Sequence, residues 1–298
     1  MKKLLTFIFA FILTLCLFFI FRYSNNHKDN NTKITLVSSF YPLHIAVLNL
    51  IDGIDDIESV NITKDHVGCI HDVSLQVNDM KKIENAKAFI INGAGLEESF
   101  VQDISEKLPN VPIIDSGKNI ELLKVEDEDE NYDKEYDHHI WLSLSNHIKQ
   151  IENIAQELVK ILPEYSDKIS KNKDLYKLKL EELGKKYNSE SMRNKKIIVN
   201  RAIFSYFAKE YGLEISFIVN NGHHSEPSAK EITEIIEFVK KNGICYIFTE
   251  EKNKSVETIA QETAIKIINL DPIRNGPERK NAYLDAMENN LKILKGAF

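Results

Sequence analysis

The sequence predicts an α/β protein in two halves, each with a parallel sheet flanked by helices, separated by a long helical segment. Three observations carry this. Short β-branched runs alternate with helical stretches on both sides of the chain's middle, and the middle itself repeats apolar residues at spacings of three and four. The length, 298 residues, is enough for two domains of ordinary size.

Taken in order, the chain begins with Lys2 and Lys3, followed by LLTFIFAFILTLCLFFIF from Leu4 to Phe21 without a charge, and then Arg22. That run is near the length needed to cross the hydrocarbon core, and it predicts an export signal or membrane anchor over residues 1–24. LTLC, ending at Cys16, is lipoprotein-like, but Leu15 stands where a lipobox wants Gly, Ala or Ser. Apolar residues continue past it, so the expectation is an uncleaved anchor. The leading lysines stay inside, which puts the body outside the cytoplasm, on the outer face of the cell membrane. Residues 25–33 are polar, as a tether should be.

An N-terminal lobe is expected over 34–145. ITLVSSF (34–40), AKAFIING (86–93) and NVPIIDS (110–116) read as strands with helical stretches between them. KVEDEDENYDKEYD (124–137) is too charged to pack and reads as a solvated loop. A long linking helix is expected over 146–190, with an apolar stripe of Ile148, Ile151, Ile154, Ala155, Leu158, Val159 and Leu162. Pro163 breaks or kinks it, and Leu175, Leu178 and Leu183 continue the stripe. The C-terminal lobe, 191–298, repeats the strand-helix cadence with KKIIVN (195–200), LEISFIV (213–219), GICYIFT (243–249) and IKIINLD (265–271). Ligands of such sheets bind at the carboxyl ends of the strands. Here those ends are Asn200-Arg201, the GHHSE turn, Thr249–Glu251 and Asp271.

Charge narrows the function classes. Lys and Arg total 38 against 45 Asp and Glu, a formal net charge of -7, which argues against a nucleic-acid partner that would need clustered cations. Cys16, Cys69 and Cys245 are too few and too dispersed for a disulfide framework.

Of nine histidines, His71, His138, His139, His223 and His224 sit where the chain changes direction. Imidazole nitrogens with a carboxylate or two form the ligand set for zinc, manganese or iron, and ligands scattered over separate loops suit a cavity between lobes. Cys69, two residues before His71, is a further soft donor. The turn NNGHHSEPSAKEI also has a purely structural reading. Ser228-x-x-Glu231 is a capping box with Pro227 just before it, which accounts for SEPSAKE but not for the histidines.

Several phrases resemble one family, the zinc and manganese receptors (ZnuA/TroA-like solute-binding proteins) of bacterial ABC importers. VSSFYPLHIAVLNLI (37–51), VGCIHDVSLQVNDMKKIENAKAFIINGAGLEESF (67–100) and DHHIWLSLSN (137–146) are similar to its first lobe. RAIFSYFAKEYGLEI (201–215), EPSAKEI (226–232) and the strand ending at Asp271 follow in the order of its second lobe. The resemblance covers roughly residues 34–298. It implies two α/β lobes joined by one long helix, with the ligand cleft between them and a metal held there from both sides.

Carried over residue by residue, the resemblance implies His71, His139 and Asp271 as ligands, with His138 standing where the family has proline. The family's third ligand falls on Arg201, whose guanidinium is always protonated and cannot hold a cation. Three accounts stay open. The GHHSEP turn supplies a replacement, His224 ahead of His223. Alternatively, three ligands and water suffice, with Arg201 turned away or paired with Glu226 or Asp271. In the last account metal binding is lost, and the cation facing the pocket favours an anion.

The expected function is capture of a divalent metal ion, zinc first and manganese second, as transported ligand for an ABC permease, by a monomer held at the membrane through its N-terminal segment. Neutral imidazoles and an ionised carboxylate do the binding. Imidazole titrates near pH ~6.5, so acid weakens it. The alternatives are a zinc-dependent hydrolase, for which no HExxH motif is present, and a surface-attachment (cell adhesion) protein of the same fold without metal. The expectation is that the chain is not an enzyme.

Overall fold

Four parallel strands build each of two sheets. The first holds β1 (Ile34–Ser38), β2 (Ile57–Asn61), β3 (Ala88–Ile91) and β4 (Ile113–Asp115). The second holds β5 (Lys196–Val199), β6 (Glu214–Ile218), β7 (Tyr246–Thr249) and β8 (Lys266–Asn269). The computed structural model describes residues 33–64, 73–124, 136–188, 190–220, 226–251 and 253–298. Strand order is β2-β1-β3-β4 in the first sheet and β6-β5-β7-β8 in the second, so the two are topologically identical. In each, the order reverses beside the first strand, between β1 and β3 and between β5 and β7. Open α/β sheets bind ligands at that crevice.

The central strands β1, β3, β5 and β7 are buried along most of their length, as expected for strands covered on both faces. That is why their sequences read as continuous apolar runs. β2, IESVN, lies at an edge, and its middle residues are only partly buried. A short strand carrying Glu58 and Ser59 has no such signature, and the sequence reading did not place it.

Helices cover both sheets. α1 (Tyr41–Leu50) starts with Pro42 in its first turn and is buried at every position but Leu48. α2 (Val77–Glu84) and α3 (Glu98–Lys107) complete the first half. The long helical segment is two helices, α4 (Leu144–Ile161) and α5 (Ser166–Tyr187), packed against each other. Leu162 between them leaves the helical region at φ -130, ψ 62, in keeping with the clash that disfavours helical backbone just before Pro163. Ser143 caps α4, its hydroxyl accepting from the Asn146 amide.

α5 packs on α1 of the first half and on α9 (Ala282–Ala297) of the second, so it holds both. Its buried face is Ile169, Asn172, Tyr176, Leu180, Leu183 and Tyr187. This corrects the predicted stripe: Leu175 and Leu178 are half exposed. The tyrosines and Asn172, rather than the leucines alone, set the phase. Asn172 earns its buried place by donating to the carbonyls of Leu50 and Asp52, each at 2.9 Å.

In the second half, α6 (Ser205–Tyr211), α7 (Ala229–Asn242) and α8 (Lys254–Thr263) follow their strands. The capping box at the start of α7 forms as predicted: the Ser228 amide donates to Glu231 Oε2 at 2.6 Å and the Glu231 amide to Ser228 Oγ at 3.3 Å. One hydrophobic cluster runs through both halves, with Leu36, Phe40, Trp141, Phe204, Phe248 and Tyr283 among its members. Each such fully buried side chain contributes roughly 1.5–3 kcal/mol.

No helix among the described residues is long and apolar enough to cross a membrane. The expected anchor over 1–24, Cys16 and most of the tether lie outside the described residues, as does most of the acidic run. Lys124 and Tyr136, which flank that run, pair in an antiparallel bridge.

Candidate metal-binding site

Arg201, Glu250 and Asp271 all follow the carboxyl ends of neighbouring strands, β5, β7 and β8. The sheet continues one residue further at this edge: the Asn200 amide donates to the Phe248 carbonyl at 2.7 Å, and the Leu270 amide to the Thr249 carbonyl at 2.9 Å. These residues are therefore held in register by backbone, one strand apart.

His139 approaches from the first half. It precedes a short 3-10 turn, Ile140–Leu142, and Asp137 orients it twice: Oδ1 accepts the His139 amide at 2.9 Å and lies 2.7 Å from Nδ1. With Nδ1–H donated to a carboxylate, Nε2 carries the lone pair, the arrangement that prepares an imidazole for a metal. Asp137 is 3% exposed. His138 is turned inward at 5% exposure, its carbonyl accepting from Asn92 Nδ2 at 3.0 Å, which leaves His139 as the better ligand.

Under this loop lies a network of neutral donors around one carboxylate. Glu97 accepts from the Ser39 hydroxyl at 2.6 Å and from the Asn92 and Gly93 amides at 2.7 and 3.1 Å. Burial pushes its carboxyl up to about 7 against the pull of those three donors. Gly93 takes a positive φ there, and a Cβ would fall 2.0 Å from Asp115 Oδ1, so any other residue would be strained and would have to displace the Asp115 carboxylate. Gln150 closes the network by donating to Asn92 Oδ1 at 2.9 Å and to Ser116 Oγ at 3.0 Å.

Asp271 is fixed by three bonds. Its amide donates to Asn290 Oδ1 and its carbonyl accepts from Asn290 Nδ2, both at 2.8 Å, while Oδ1 accepts the Ile273 amide at 2.7 Å. The next residue joins the halves: Trp141 Nε1 donates to the Pro272 carbonyl at 2.9 Å, and Tyr283 Oη to the Trp141 carbonyl at 2.6 Å. Trp141 is two residues from His139 and Pro272 one residue from Asp271, so this bond brings the segments that carry the two candidate ligands together at one seam. Tyr41 lies on the same seam. Its phenol is pushed up to about 12 by burial and then by the Asp271 carboxylate. Tyr206 adds a further tie, donating to the Asp137 carbonyl at 2.7 Å.

Arg201 is paired, but with neither expected partner. Nε lies 3.6 Å from Glu250 Oε1 and Nη2 lies 3.9 Å from Glu251 Oε1. Glu226 is occupied elsewhere, accepting from Asn253 Nδ2 at 2.8 Å and Ser255 Oγ at 2.6 Å, where it anchors the start of α8. The correction has a topological cause. Glu250 follows the strand hydrogen-bonded to Arg201's own, whereas Asp271 is one strand further. Two carboxylates on one guanidinium also remove the excess positive charge on which an anion-binding pocket would depend.

His71, His223, His224 and Cys69 lie outside the described residues. Among the described residues, no group of three or more His, Cys, Asp or Glu side chains converges as a metal cluster. The described part of the site thus brings His139 and Asp271 to one seam and places Arg201 at the edge beside Glu250. Asp137, Trp141 and Glu250 fall within phrases singled out from the sequence, DHHIW and Thr249–Glu251, but were given no role there. Asp137 and Trp141 flank His139 in DHHIW, where an acid two residues before a histidine was the available signal.

Two α/β lobes with sheets of identical strand order, joined by a helical segment that packs on both, are the architecture of a two-lobed solute-binding protein. The sequence from 36 to 297 matches the zinc-uptake complex component A, periplasmic (ZnuA) family, and the chain belongs to it. It is 30% identical over 290 residues to the zinc-binding protein AdcA of Streptococcus pyogenes, across 88% of this chain and 56% of that one. The chain thus spans little more than half the length of the AdcA proteins it matches. It is 25% identical over 281 residues to the high-affinity zinc uptake system protein ZnuA of Bacillus subtilis, across 88% and 87% of the two chains. Its fold matches the Zn(II)-bound ZnuA-like domain of Streptococcus pneumoniae AdcA with a TM-score of 0.74 and 28% identity, over 89% of this chain and 98% of that one.

Proposed function

We propose that this protein captures a divalent transition metal outside the cytoplasm, zinc ahead of manganese, and delivers it to an ABC permease. The observation that carries the reading is His139, whose Nδ1 is held by the buried Asp137 carboxylate while Trp141 bonds its loop to the Asp271 segment of the other half. Neutral imidazole and ionised carboxylate are the donors zinc and manganese take. His139 and Asp271 are the ligands on the described residues, and His71 joins them from the resemblance. The chemistry is coordination with no bond-making, so the protein is a receptor and not an enzyme. The family's description as periplasmic supports a body outside the cytoplasm, and the apolar run Leu4–Phe21 supports its being held at the outer face of the membrane.

Metal analysis of the full chain, kept in detergent and purified without chelator, tests this. The expected result is bound zinc, and after its removal re-binding of zinc more tightly than manganese, each below about micromolar. A chain that carries no metal and binds neither ion in that range contradicts the reading. Trp141, the only tryptophan, lies 5.2 Å from the His139 ring and gives a second readout through its fluorescence.

A further inference from the structure

The weak point of a metal site here is Arg201, and the residue beside it has the features of the missing donor. The Glu250 side chain is only 2% exposed, yet its carboxylate is poorly satisfied: Oε1 stands 3.6 Å from Arg201 Nε, beyond hydrogen-bond distance. Oε2 and Arg201 Nε are both buried without a hydrogen-bond partner. A guanidinium selected to bind a buried carboxylate forms two short parallel bonds. This pair forms none, although a buried charge without good partners is costly.

Position adds an independent argument. β5 and β7 flank the crevice where the strand order of the second sheet reverses. Neighbouring strands lie about 4.8 Å apart, so a metal shared between the end of β5 and the end of β8, two strands away, sits over the end of β7. Glu250 is the residue at that end.

We propose that Glu250 is a metal ligand of this protein, taking over from the position where Arg201 stands, and that Arg201 is a place-holder displaced when the ion arrives. The proposal rests on the receptor reading above. His139, Asp271 and Glu250 do not converge as a metal cluster in the described conformation, so Glu250 must leave Arg201 to bind. Glu251, 57% exposed and already 3.9 Å from Arg201 Nη2, receives the guanidinium. The exchange balances charge: the ion's two positive charges meet Asp271 and Glu250, while Arg201 is neutralised by Glu251.

The test is a double-mutant cycle on the full chain in detergent, with zinc affinity read by competition with a chromogenic chelator. Glu250→Gln is expected to weaken zinc at least about tenfold, both alone and in an Arg201→Ala background. Arg201→Ala alone is expected to tighten it by removing a competing cation. If Glu250 only anchors Arg201, the Glu250→Gln loss disappears once Arg201 is gone, and that result overturns the proposal. A Glu250→Cys variant loaded with cobalt(II) provides a signal that a positioning role would not produce. A thiolate-to-cobalt charge-transfer band in the near ultraviolet is expected, and a cobalt-loaded variant without it is a second refutation. Wild type that binds zinc while Glu250→Gln is unchanged overturns this inference alone. Wild type that binds no zinc overturns the receptor reading with it.

Discussion

The two sheets share one strand order and put opposite chemistry at the same place. After β1 and β3, the first sheet presents Ser39 and Asn92, tied with Glu97 and Gln150 into a buried network of bonds of 2.6–3.1 Å. After β5 and β7, the second presents Arg201 and Glu250, whose nearest approach is 3.6 Å and whose facing atoms include two without partners. The difference teaches a division of labour. One edge is spent on holding the His139 loop still, and the other keeps charged groups loosely paired where a ligand can compete for them.

The comparison breaks first if the network edge is not structural. Asn92→Ala removes donors to the His138 and Gly93 carbonyls and the acceptor for Gln150. It should cost about 3–5 kcal/mol in urea unfolding, since buried groups are left unpaired. Glu250→Gln on the other edge should cost less than about 1 kcal/mol. Equal losses would erase the distinction.

Next in size is a pH effect peculiar to the network. Glu97 holds its proton to about pH 7 in the folded chain, above the ordinary carboxylate value of 4.5. The folded state therefore binds more protons than the unfolded one between those values. Stability from this group is fully present below pH ~4.5 and falls as pH rises through ~7, by roughly 2–3 kcal/mol. Unfolding titrations at pH ~5 and ~8 should show this fall in the wild type and not in Glu97→Gln.

A smaller effect links the network edge to the site. Asp137→Asn keeps the shape but weakens the hold on His139 Nδ1, and zinc affinity should fall about 10- to 100-fold, or ~1.4–2.7 kcal/mol. Smallest is the surface of α5, where Leu175→Ala and Leu178→Ala should each change stability by about 0.5 kcal/mol or less. Leu180→Ala, from its buried face, should cost ~2–5 kcal/mol.

How much of this the sequence carried follows from burial. β5 and β7 were legible as KKIIVN and GICYIFT because central strands of a parallel sheet are apolar on both faces, whereas the edge strand β2 hides among polar residues. In the linking segment Pro163 marked its own break. The phase of α5 was misread because Asn172, Tyr176 and Tyr187 are buried alongside its leucines. At the site, His139 and Asp271 came from the resemblance and lie at one seam. Thr249–Glu251 was legible as one of the ligand-binding strand ends, but Arg201's partner was not, because sequence alone gives no strand order and only the β5-β7 adjacency brings Glu250 beside Arg201. The ligand roles of His71, His223 and His224 are untouched by the described residues.

The most direct measurement is zinc affinity of the full chain beside His139→Ala and Asp271→Ala, all read by chelator competition with folding checked by circular dichroism. The account predicts one zinc bound below about micromolar by the wild type, and a loss of at least ~100-fold in each variant. Wild-type affinity in either variant, or no zinc binding by the wild type, would contradict it.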